Sequence, residues 1–502
     1  MVMLETEQKY EEYVADALKC VQLKFVGSTE EIESAPGFEP EFAHQHFGES
    51  ENIIGYKDLD VTVCYSDSSL FIYPSITYSS KVPVNAQIKA EDIVYKIRDQ
   101  LPSNHLDALV STSANFQAKL QEQKAFKPYG DLVTKFTADN SEGNKEEFHV
   151  YRVESSDNEE ANRYLERAQS LGFWYIDGAS YTDNEDPRFF HYFVYEYLMK
   201  DASPKYKFAG YSSLYRFYYY PDKERIRIAH LMIAPPYRGS GNGIRFLDAI
   251  YSDLRNNNKV YDITAETPAD NFLYMRDYSD CLSCSSLPEF SKVKLQQGFS
   301  TDMKSAAREK LKLHDAQTRR VYEILRLFHT GSNAQALESY KADVVKRIEK
   351  PFLRSKRDVT KLAEALNPNE MTMVTHNLEP EQQRRLVEEQ YNNTIESYRI
   401  SHQQTSLTQL KMDGNAPENS FSFPYSPYPI QEQLMNAIYQ AIDKRKVAIF
   451  ESPTGTGKSL STICASLTWL EHYERKQQED LSNQMQMLMR KIQGWFIILR
   501  HH

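Results

Sequence analysis

Two glycine-rich stretches of this sequence have the residue types and spacing that bind phosphate. The first, RGSGNG from Arg238 to Gly243, lies between the apolar run RIAHLMIAPP and the amphipathic run IRFLDAIYSDL. A glycine turn between a strand and a helix presents unpaired backbone N–H groups and the positive end of the helix dipole, and it lets the backbone approach a ligand closely. The first stretch therefore predicts a pyrophosphate cradle, and the alternative is a turn that only joins a strand to a helix.

The second stretch, SPTGTGKS at residues 452–459, fits the Walker A pattern except at the first glycine position, which holds serine. In that pattern the backbone at Gly455 and Gly457 surrounds the phosphates of ATP. Lys458 contacts the β- and γ-phosphates, and Ser459 binds the Mg²⁺ ion. The charged tail that follows offers no acidic Walker B pair, no arginine finger and no second motor domain. The pattern therefore predicts the start of an ATP–Mg²⁺ site without the rest of it.

The elements that would hold these loops indicate a mixed α+β and α/β chain. Alternating patterns such as DVTVCYSDSSLFIYPSITYSS, RFFHYFVYEYLM and KFAGYSSLYRFYYY predict strands, whereas DAQTRRVYEILRLF and LESYKADVVKRIEK carry apolar residues at helical spacing. The polar, turn-rich stretch SHQQTSLTQLKMDGNAPENSFS is typical of a linker. These patterns divide the chain into an N-terminal α+β domain at 1–125, a strand-rich domain at 126–280, a helical domain at 281–400, the linker at 401–422 and the segment with the second loop at 423–502.

Composition narrows the classes of function. At 502 residues the chain is too long for one core, and its net charge of −11 argues against a general nucleic-acid binder but suits a basic polypeptide partner. No apolar run approaches the ~20 residues of a membrane span, and the acidic N-terminus lacks the pattern of a signal peptide. Five scattered cysteines indicate a reducing compartment.

Two smaller signals favour structural interpretations. Cys281 and Cys284 form a lone C-x-x-C pair with no second pair or histidine set, so no metal is expected. The basic run Arg354–Lys361 fits a solvated helix face better than a nuclear import signal.

The order of several stretches resembles that of a known family. Arg238-x-x-Gly241-x-Gly243, between a strand and a helix, resembles the coenzyme A loop of the GNAT acetyltransferases, and the strand pattern VYDITAETPADNF comes one helix later. GYKDLDVTV, FYYYPDKERIRIAHLMIAPPYRGSGNGI, DITAETP and RRVYEILRL together resemble the type B histone acetyltransferase catalytic subunits over about residues 1–400. The resemblance implies a GNAT fold at 126–280, acetyl-CoA as cofactor and a histone-tail lysine as acceptor.

A candidate general base lies on the strand that follows the first loop. In YDITAE, Asp262, Thr264 and Glu266 share one face because side chains alternate, and Glu266 stands at the carboxyl end, where open sheets bind ligands. A lysine amine has an unperturbed pKa of about 10.4, so a carboxylate that takes its proton assists its attack on a thioester. We therefore expect Glu266 to be the base, and the alternative is a surface glutamate at a strand end.

The resemblance implies further site residues. A carboxylate partner of the base falls on Asp177, in YIDGAS, and Thr267 stands where the family has an aspartate after the base. Backbone contacts to the pantetheine arm fall on Leu231, Met232 and Ile233, and the pyrophosphate loop comprises Arg238, Gly239, Ser240, Gly241, Asn242, Gly243 and Ile244. Histone-tail contacts fall on Glu49, Ser50, Glu51, Tyr215, Arg216 and Phe217, with Phe190 in place of an expected tryptophan.

These patterns lead to one expected function and two alternatives. The expected function is direct acetyl transfer from acetyl-CoA to a lysine of a histone tail, of histone H4 by the resemblance. The resemblance further implies a WD-repeat histone chaperone as partner and the nucleus and cytoplasm as compartments. One alternative is a DNA helicase fragment, because FPYSPYPIQEQLMNAIYQAIDKRKVAIFESPTGTGKSLS resembles the start of the XPD-like iron–sulfur helicases, with Gln431 where they contact adenine. The other is a non-catalytic histone-binding module.

Overall fold

The computed structural model describes residues 10–83, 86–140, 143–154, 159–200, 203–330, 333–363, 380–412, 429–443 and 461–470. The strands are β1 (Val14–Asp16), β2 (Val21–Val26), β3 (Asn52–Ile54), β4 (Tyr56–Lys57), β5 (Asp60–Ser66), β6 (Ile72–Thr77), β7 (Ser80–Lys81), β8 (Asp131–Asp139), β9 (Lys145–Glu154), β10 (Phe189–Lys200), β11 (Ser203–Tyr219), β12 (Lys223–Ile233) and β13 (Val260–Ala265). The helices are α1 (Ala17–Cys20), α2 (Glu31–Ser34), α3 (His44–Phe47), α4 (Ile93–Asp99), α5 (Ser113–Glu122), α6 (Glu159–Gly172), α7 (Asn242–Arg255), α8 (Asp270–Ser285), α9 (Lys292–Gln297), α10 (Thr301–Leu311), α11 (Asp315–Thr330), α12 (Ala334–Ala363), α13 (Pro380–Met412), α14 (Pro429–Asp443) and α15 (461–470).

The central sheet has six strands in the order β13-β12-β11-β10-β9-β8. All neighbours are antiparallel except β12 and β13, which are parallel and are connected through helix α7. Helix α7 is amphipathic, because Ile244, Leu247, Tyr251 and Leu254 recur at three- and four-residue spacing and are all buried. This face packs with the apolar residues of the sheet, so α7 covers one side of it. The strands predicted from the aromatic stretches are confirmed as β10 and β11.

The N-terminal region shares its core with the other side of this sheet. Strands β2, β5 and β6 form a small sheet of their own, and most of their buried residues belong to one cluster with Trp174 and Phe193. The backbone N–H groups of Glu41 and Phe42 both donate to the carbonyl of Trp174, at 2.9 and 3.1 Å. The loop before α3 is thereby fixed beside the segment that follows α6.

The helical region is held together by buried ion pairs as well as by apolar contacts. Glu323 on α11 is fully buried and accepts hydrogen bonds of 2.6 to 2.8 Å from Arg319, Arg347 and Tyr398. Removal of any one partner would leave part of a buried charge unpaired, which is strongly destabilising. These contacts link α11, α12 and α13.

The predicted linker is wrong over its first half. Helix α13 continues through residues 401–412, and the Ser401 hydroxyl donates to Asp277 on α8 at 2.9 Å. The contact of Ser401 with a buried carboxylate joins two segments far apart in sequence, and composition alone does not reveal it. Residues 413–422 lie outside the described residues.

The chain divides into two compact units, residues 1–412 and 413–502. In the second unit, helices α14 and α15 pack through Met435, Ile438, Cys464 and Ala465, and Gln431 is largely buried on α14. The predicted phosphate loop with Gly455, Gly457, Lys458 and Ser459 lies outside the described residues.

Among the helices of the described ranges, none is both long enough and apolar enough to cross a membrane. In the same part of the chain, no group of three or more His, Cys, Asp or Glu residues is arranged to hold a metal ion. Cys281 and Cys284 are buried one turn apart on α8, and burial raises the pKa of both thiols.

Candidate active site

A cleft opens where two parallel strands diverge. Strands β12 and β13 pair only from Glu224 to Ile228, and the last bond runs from the Glu266 N–H to the Ile228 carbonyl at 2.9 Å. An irregularity in the β11–β12 ladder leaves Ala229 without an opposite residue, as a bulge does when it bends a strand. Strand β12 then continues to Ile233, and in the described part of the chain no strand pairs with this edge of it.

The gap between the strands opens into a cavity of about 1230 Å³. Leu231, Met232 and Ile233, predicted to contact the pantetheine arm, all line this cavity. Because they lie beyond the end of β13, no described strand pairs with that edge, and an extended ligand can bind there as an additional strand would. The Ile233 carbonyl is the exception, because it accepts a hydrogen bond of 2.8 Å from Arg238.

The predicted pyrophosphate loop forms the next part of the cavity wall. Gly239 and Gly241 have φ values of +83° and +76°, in the left-handed region that favours glycine, and Gly241 caps the N-terminus of α7. The Asn242 side chain fixes the turn by donating to the Tyr237 carbonyl at 3.0 Å. A Cβ on Gly243 would lie 2.9 Å from the sulfur of Met275, so the turn is packed closely. These residues fit a diphosphate group, which would meet the backbone N–H groups of α7.

Two residues of this loop, Ser240 and Arg238, make hydrogen bonds within the protein. The carbonyl of Ser240 accepts a bond of 2.8 Å from Arg245, and Ser240 is absent from the cavity wall among the described residues. Arg238 lines the cavity, but its guanidinium pairs with Glu41, donates to the Ile233 carbonyl at 2.8 Å and lies 4.5 Å from the Tyr175 ring centroid. Arg238 therefore ties the N-terminal loop to the cradle, and the cradle's attraction for anions arises mainly from its backbone.

Glu266 lies in the cavity immediately after the end of β13. The two other polar residues on its face of the strand are already engaged. Asp262 is buried and accepts two bonds from Arg225, at 2.6 and 2.8 Å, and the Thr264 hydroxyl donates to the Ile226 carbonyl at 3.2 Å. Glu266 is thus the carboxylate of this face that a ligand in the cavity can reach.

Asp177 and an aromatic wall occupy the same cavity. The side chain of Asp177 is 74% exposed and lies 3.4 Å from the Nε2 atom of His44. The rings of Phe189 and Tyr215 lie 4.7 Å apart between centroids, and those of Tyr215 and Phe217 lie 4.6 Å apart. All three rings line the cavity, together with Arg227, whose guanidinium lies over Phe217.

Phe190, predicted to contact a peptide, is fully buried and absent from the described cavity wall. Its ring packs against the guanidinium of Arg216, which pairs with Glu154 at 2.6 Å. The prediction for Phe190 is therefore wrong, and Phe189 lies where it was expected. Arg216 likewise lies outside the described cavity wall, where it packs against Phe190.

The acidic turn Glu49–Glu51 lies outside the described cavity wall. Glu49 and Ser50 are exposed. Glu51 instead accepts hydrogen bonds from the backbone N–H groups of Ala43 and His44, at 2.7 and 3.1 Å. The predicted contact of Glu51 with a peptide would have to compete with these two hydrogen bonds.

The floor of the cavity contains polar residues that the sequence did not suggest. His230 lines the cavity, and below it the Nδ1 atom of His191 lies 3.0 Å from the Ser213 hydroxyl. Gln169 donates to Ser213 at 3.3 Å and to Thr182 at 2.7 Å. Burial lowers the pKa of His191 to about 3 and that of His230 to about 4, so both rings are neutral at pH 7. The pairing of β10, β11 and β12 brings the two histidines and Ser213 together, and helix α6 adds Gln169.

A strand pair that diverges beside a glycine-capped helix, with a carboxylate at the point of divergence, is the arrangement expected of a GNAT-type acetyltransferase. Two family models match the chain: the histone acetyl transferase HAT1 N-terminus at residues 13–177 and the C-terminal model of the type B catalytic subunit at residues 276–327. Histone acetyltransferase type B catalytic subunits from Mus musculus and Homo sapiens are 33% identical over 398 and 397 residues, and each alignment covers 78% of this chain and 94% of the relative. A relative from Dictyostelium discoideum is 27% identical over 345 residues, which are 66% of this chain and 72% of the relative.

The chain therefore belongs to the family of type B histone acetyltransferase catalytic subunits and is an acetyl-transferring enzyme. A solved aminoglycoside acetyltransferase from an uncultured soil metagenomic sample, in complex with sisomicin, is 17% identical with a TM-score of 0.19. The alignment covers 28% of this chain and 88% of the acetyltransferase chain. A similarity this weak does not bear on the fold.

Proposed function

We propose that the chain transfers the acetyl group of acetyl-CoA to a lysine amine in the tail of a histone, with Glu266 as general base. The observation that carries this proposal is the position of Glu266. It lies in one cavity with the open edge of β12 and the glycine cradle, at the point where β12 and β13 separate. Family membership supports a histone as the acceptor.

The bound coenzyme would supply an activated acetyl thioester. The backbone from Leu231 to Ile233 would bind the amide groups of its arm as a neighbouring strand does, and the N–H groups at the start of α7 would bind the diphosphate. Glu266 would take a proton from the lysine ammonium, directly or through one water, and leave the neutral amine to attack the thioester carbonyl. The new amide bond would replace the carbon–sulfur bond, and coenzyme A would leave as the thiol after its sulfur takes up a proton. No cysteine lines the cavity among the described residues, which favours direct transfer over an acetylated enzyme.

On the acceptor side, Asp177 and the aromatic wall would bind the tail. A carboxylate at the cavity surface attracts lysine and arginine side chains, and the faces of Tyr215 and Phe217 attract cations as well. Histone H4 is the acceptor that we propose on the family resemblance. A WD-repeat histone chaperone as partner, and the nucleus and cytoplasm as compartments, are proposed on the same ground.

An acetylation assay tests the proposed function. The full chain, acetyl-CoA and a peptide of the histone H4 tail should give an acetylated lysine by mass spectrometry, and acetyl-CoA should raise the thermal midpoint of the protein. A peptide with every lysine replaced by arginine keeps its charge and should stay unmodified. If the tail peptide binds but no acetylated product forms, the chain is a histone-binding module and not a transferase.

We expect the second phosphate loop to contribute nothing to this reaction. Lys458→Ala should leave acetyl transfer, measured with the tail peptide, within error of the wild-type rate. Removal of residues 413–502 should do the same, because residues 1–412 form a compact unit. A weak affinity of the loop for phosphate would not change this result, since helix N-termini bind anions without catalysis. ATP hydrolysis by the full chain that Lys458→Ala abolishes would contradict this expectation.

A further inference from the structure

His44 lies between two carboxylates, and one of them, Asp177, lines the cavity. Its Nδ1 atom is 3.6 Å from Glu51 Oε1, and its Nε2 atom is 3.4 Å from Asp177 Oδ1. Only 22% of the imidazole side chain is exposed. The three residues come from three different segments: the start of α3, the turn before β3 and the loop after α6.

Glu51, on one side of His44, is held by backbone hydrogen bonds. The Glu51 oxygen that faces His44 also accepts the backbone N–H groups of Ala43 and His44, at 2.7 and 3.1 Å. The ring of Phe42 contacts the imidazole edge to face, with centroids 5.9 Å apart. His44 is therefore held by its backbone and by Glu51, and its Nε2 atom is presented to Asp177.

The Asp177 side chain, unlike that of Glu51, is mostly exposed, and a contact with His44 restricts its position. Its side chain is 74% exposed, so it is hydrated and free to change rotamer except where His44 contacts it. A carboxylate that must meet a lysine ammonium gains from being held in one place before the substrate arrives.

We propose that His44 is a positioning residue for acetyl transfer: it joins the anchored carboxylate of Glu51 to Asp177 and holds Asp177 where the acceptor lysine enters. An imidazolium has an N–H for each carboxylate, whereas a neutral imidazole has an N–H for one of them. The ring can hold Asp177 when Nε2 carries the hydrogen, as it does in the imidazolium and in the Nε2–H tautomer. This inference rests on the proposed function, because it assigns Asp177 to the acceptor.

A double-mutant cycle tests this role. His44→Phe keeps a ring against Phe42 but removes both ring nitrogens. We expect it to lower kcat/KM for the tail peptide about fivefold, the size of one exposed ion pair, with the thermal shift by acetyl-CoA unchanged. In the Asp177→Ala background the same substitution should have little further effect, because the Asp177 oxygen atoms that His44 contacts are already removed. His44→Gln, which retains one donor, should lose less than His44→Phe.

A control and a second measurement separate the possible results. His329→Phe makes the same substitution at an exposed position on α11 and should leave kcat/KM unchanged. Peptide affinity measured by calorimetry without acetyl-CoA should fall in His44→Phe even if the wild type transfers no acetyl group, so failure of the proposed function is seen separately. An equal fall of kcat/KM in both backgrounds would show that His44 only supports its turn. No fall in kcat/KM or in affinity would equally overturn the proposal.

Discussion

Glu266→Gln should lower the rate of acetyl transfer about 100-fold, the usual scale for loss of a general base. The amide keeps the shape of the carboxylate but cannot take the proton of a lysine ammonium. Because Glu266 lies at the end of β13, and the cradle lies at the start of α7, the thermal shift by acetyl-CoA should be little changed. Steady-state rates with the tail peptide, measured over a range of pH, give the result.

A nearby acidic residue provides the control for this substitution. Asp270 stands in the first turn of α8, is exposed and is absent from the described cavity wall. Asp270→Asn removes the same charge close to the site but leaves Glu266 in place. Because the charge of an exposed residue is largely screened, this variant should keep the wild-type rate within about twofold. If Glu266→Gln transfers acetyl groups as fast as the wild type across the pH range, Asp177 becomes the candidate base.

The parts of the site that are local in sequence could be predicted. The cradle consists of one strand, one turn and one helix in succession, and each has its own pattern: an apolar run that ends at prolines, closely spaced glycines, and apolar residues at helical spacing. Glu266 follows from the alternation of one strand. The structure brings these residues to one cavity with Leu231, Met232 and Ile233.

The aromatic wall of Phe189, Tyr215 and Phe217 depends on strand register, which the sequence leaves open. Phe189 and Phe190 are adjacent, and either could face a ligand. In the structure, Phe189 pairs with Tyr215 and Phe190 with Leu214, so Phe189 joins the face that carries Tyr215 and Phe217. A slip of one residue moves a side chain to the opposite face of a sheet, which is why this prediction failed.

Contacts between distant segments gave no sequence signal at all. Glu41 and Arg238 are 197 residues apart and meet only because the N-terminal loop packs beside the cradle. The contact of His44 with Asp177 likewise depends on the bonds that fix residues 41 and 42 to Trp174. A glutamate or histidine in a polar loop has many alternative roles, and the fold alone selects among them.

Gly241→Asp should raise the dissociation constant for acetyl-CoA about 100-fold or more, because two like charges some 4 Å apart near a protein surface repel by several kcal/mol. Gly241 caps α7 and lines the cavity, so the new carboxylate would lie where the diphosphate is expected. Calorimetry or the thermal shift by acetyl-CoA measures the loss, and the midpoint without ligand reports on the fold.

Gly241→Asn separates charge from shape in this experiment. Asparagine and aspartate have nearly the same size, and both tolerate the left-handed backbone that Gly241 adopts at φ +76°. The strain of the turn and the bulk of the side chain are therefore common to the two variants. If the backbone N–H groups of α7 bind a diphosphate, Asn should retain much more affinity than Asp. If the two variants lose affinity for acetyl-CoA to the same extent, no anion is bound at this turn. If both keep the wild-type affinity, the loop only joins β12 to α7.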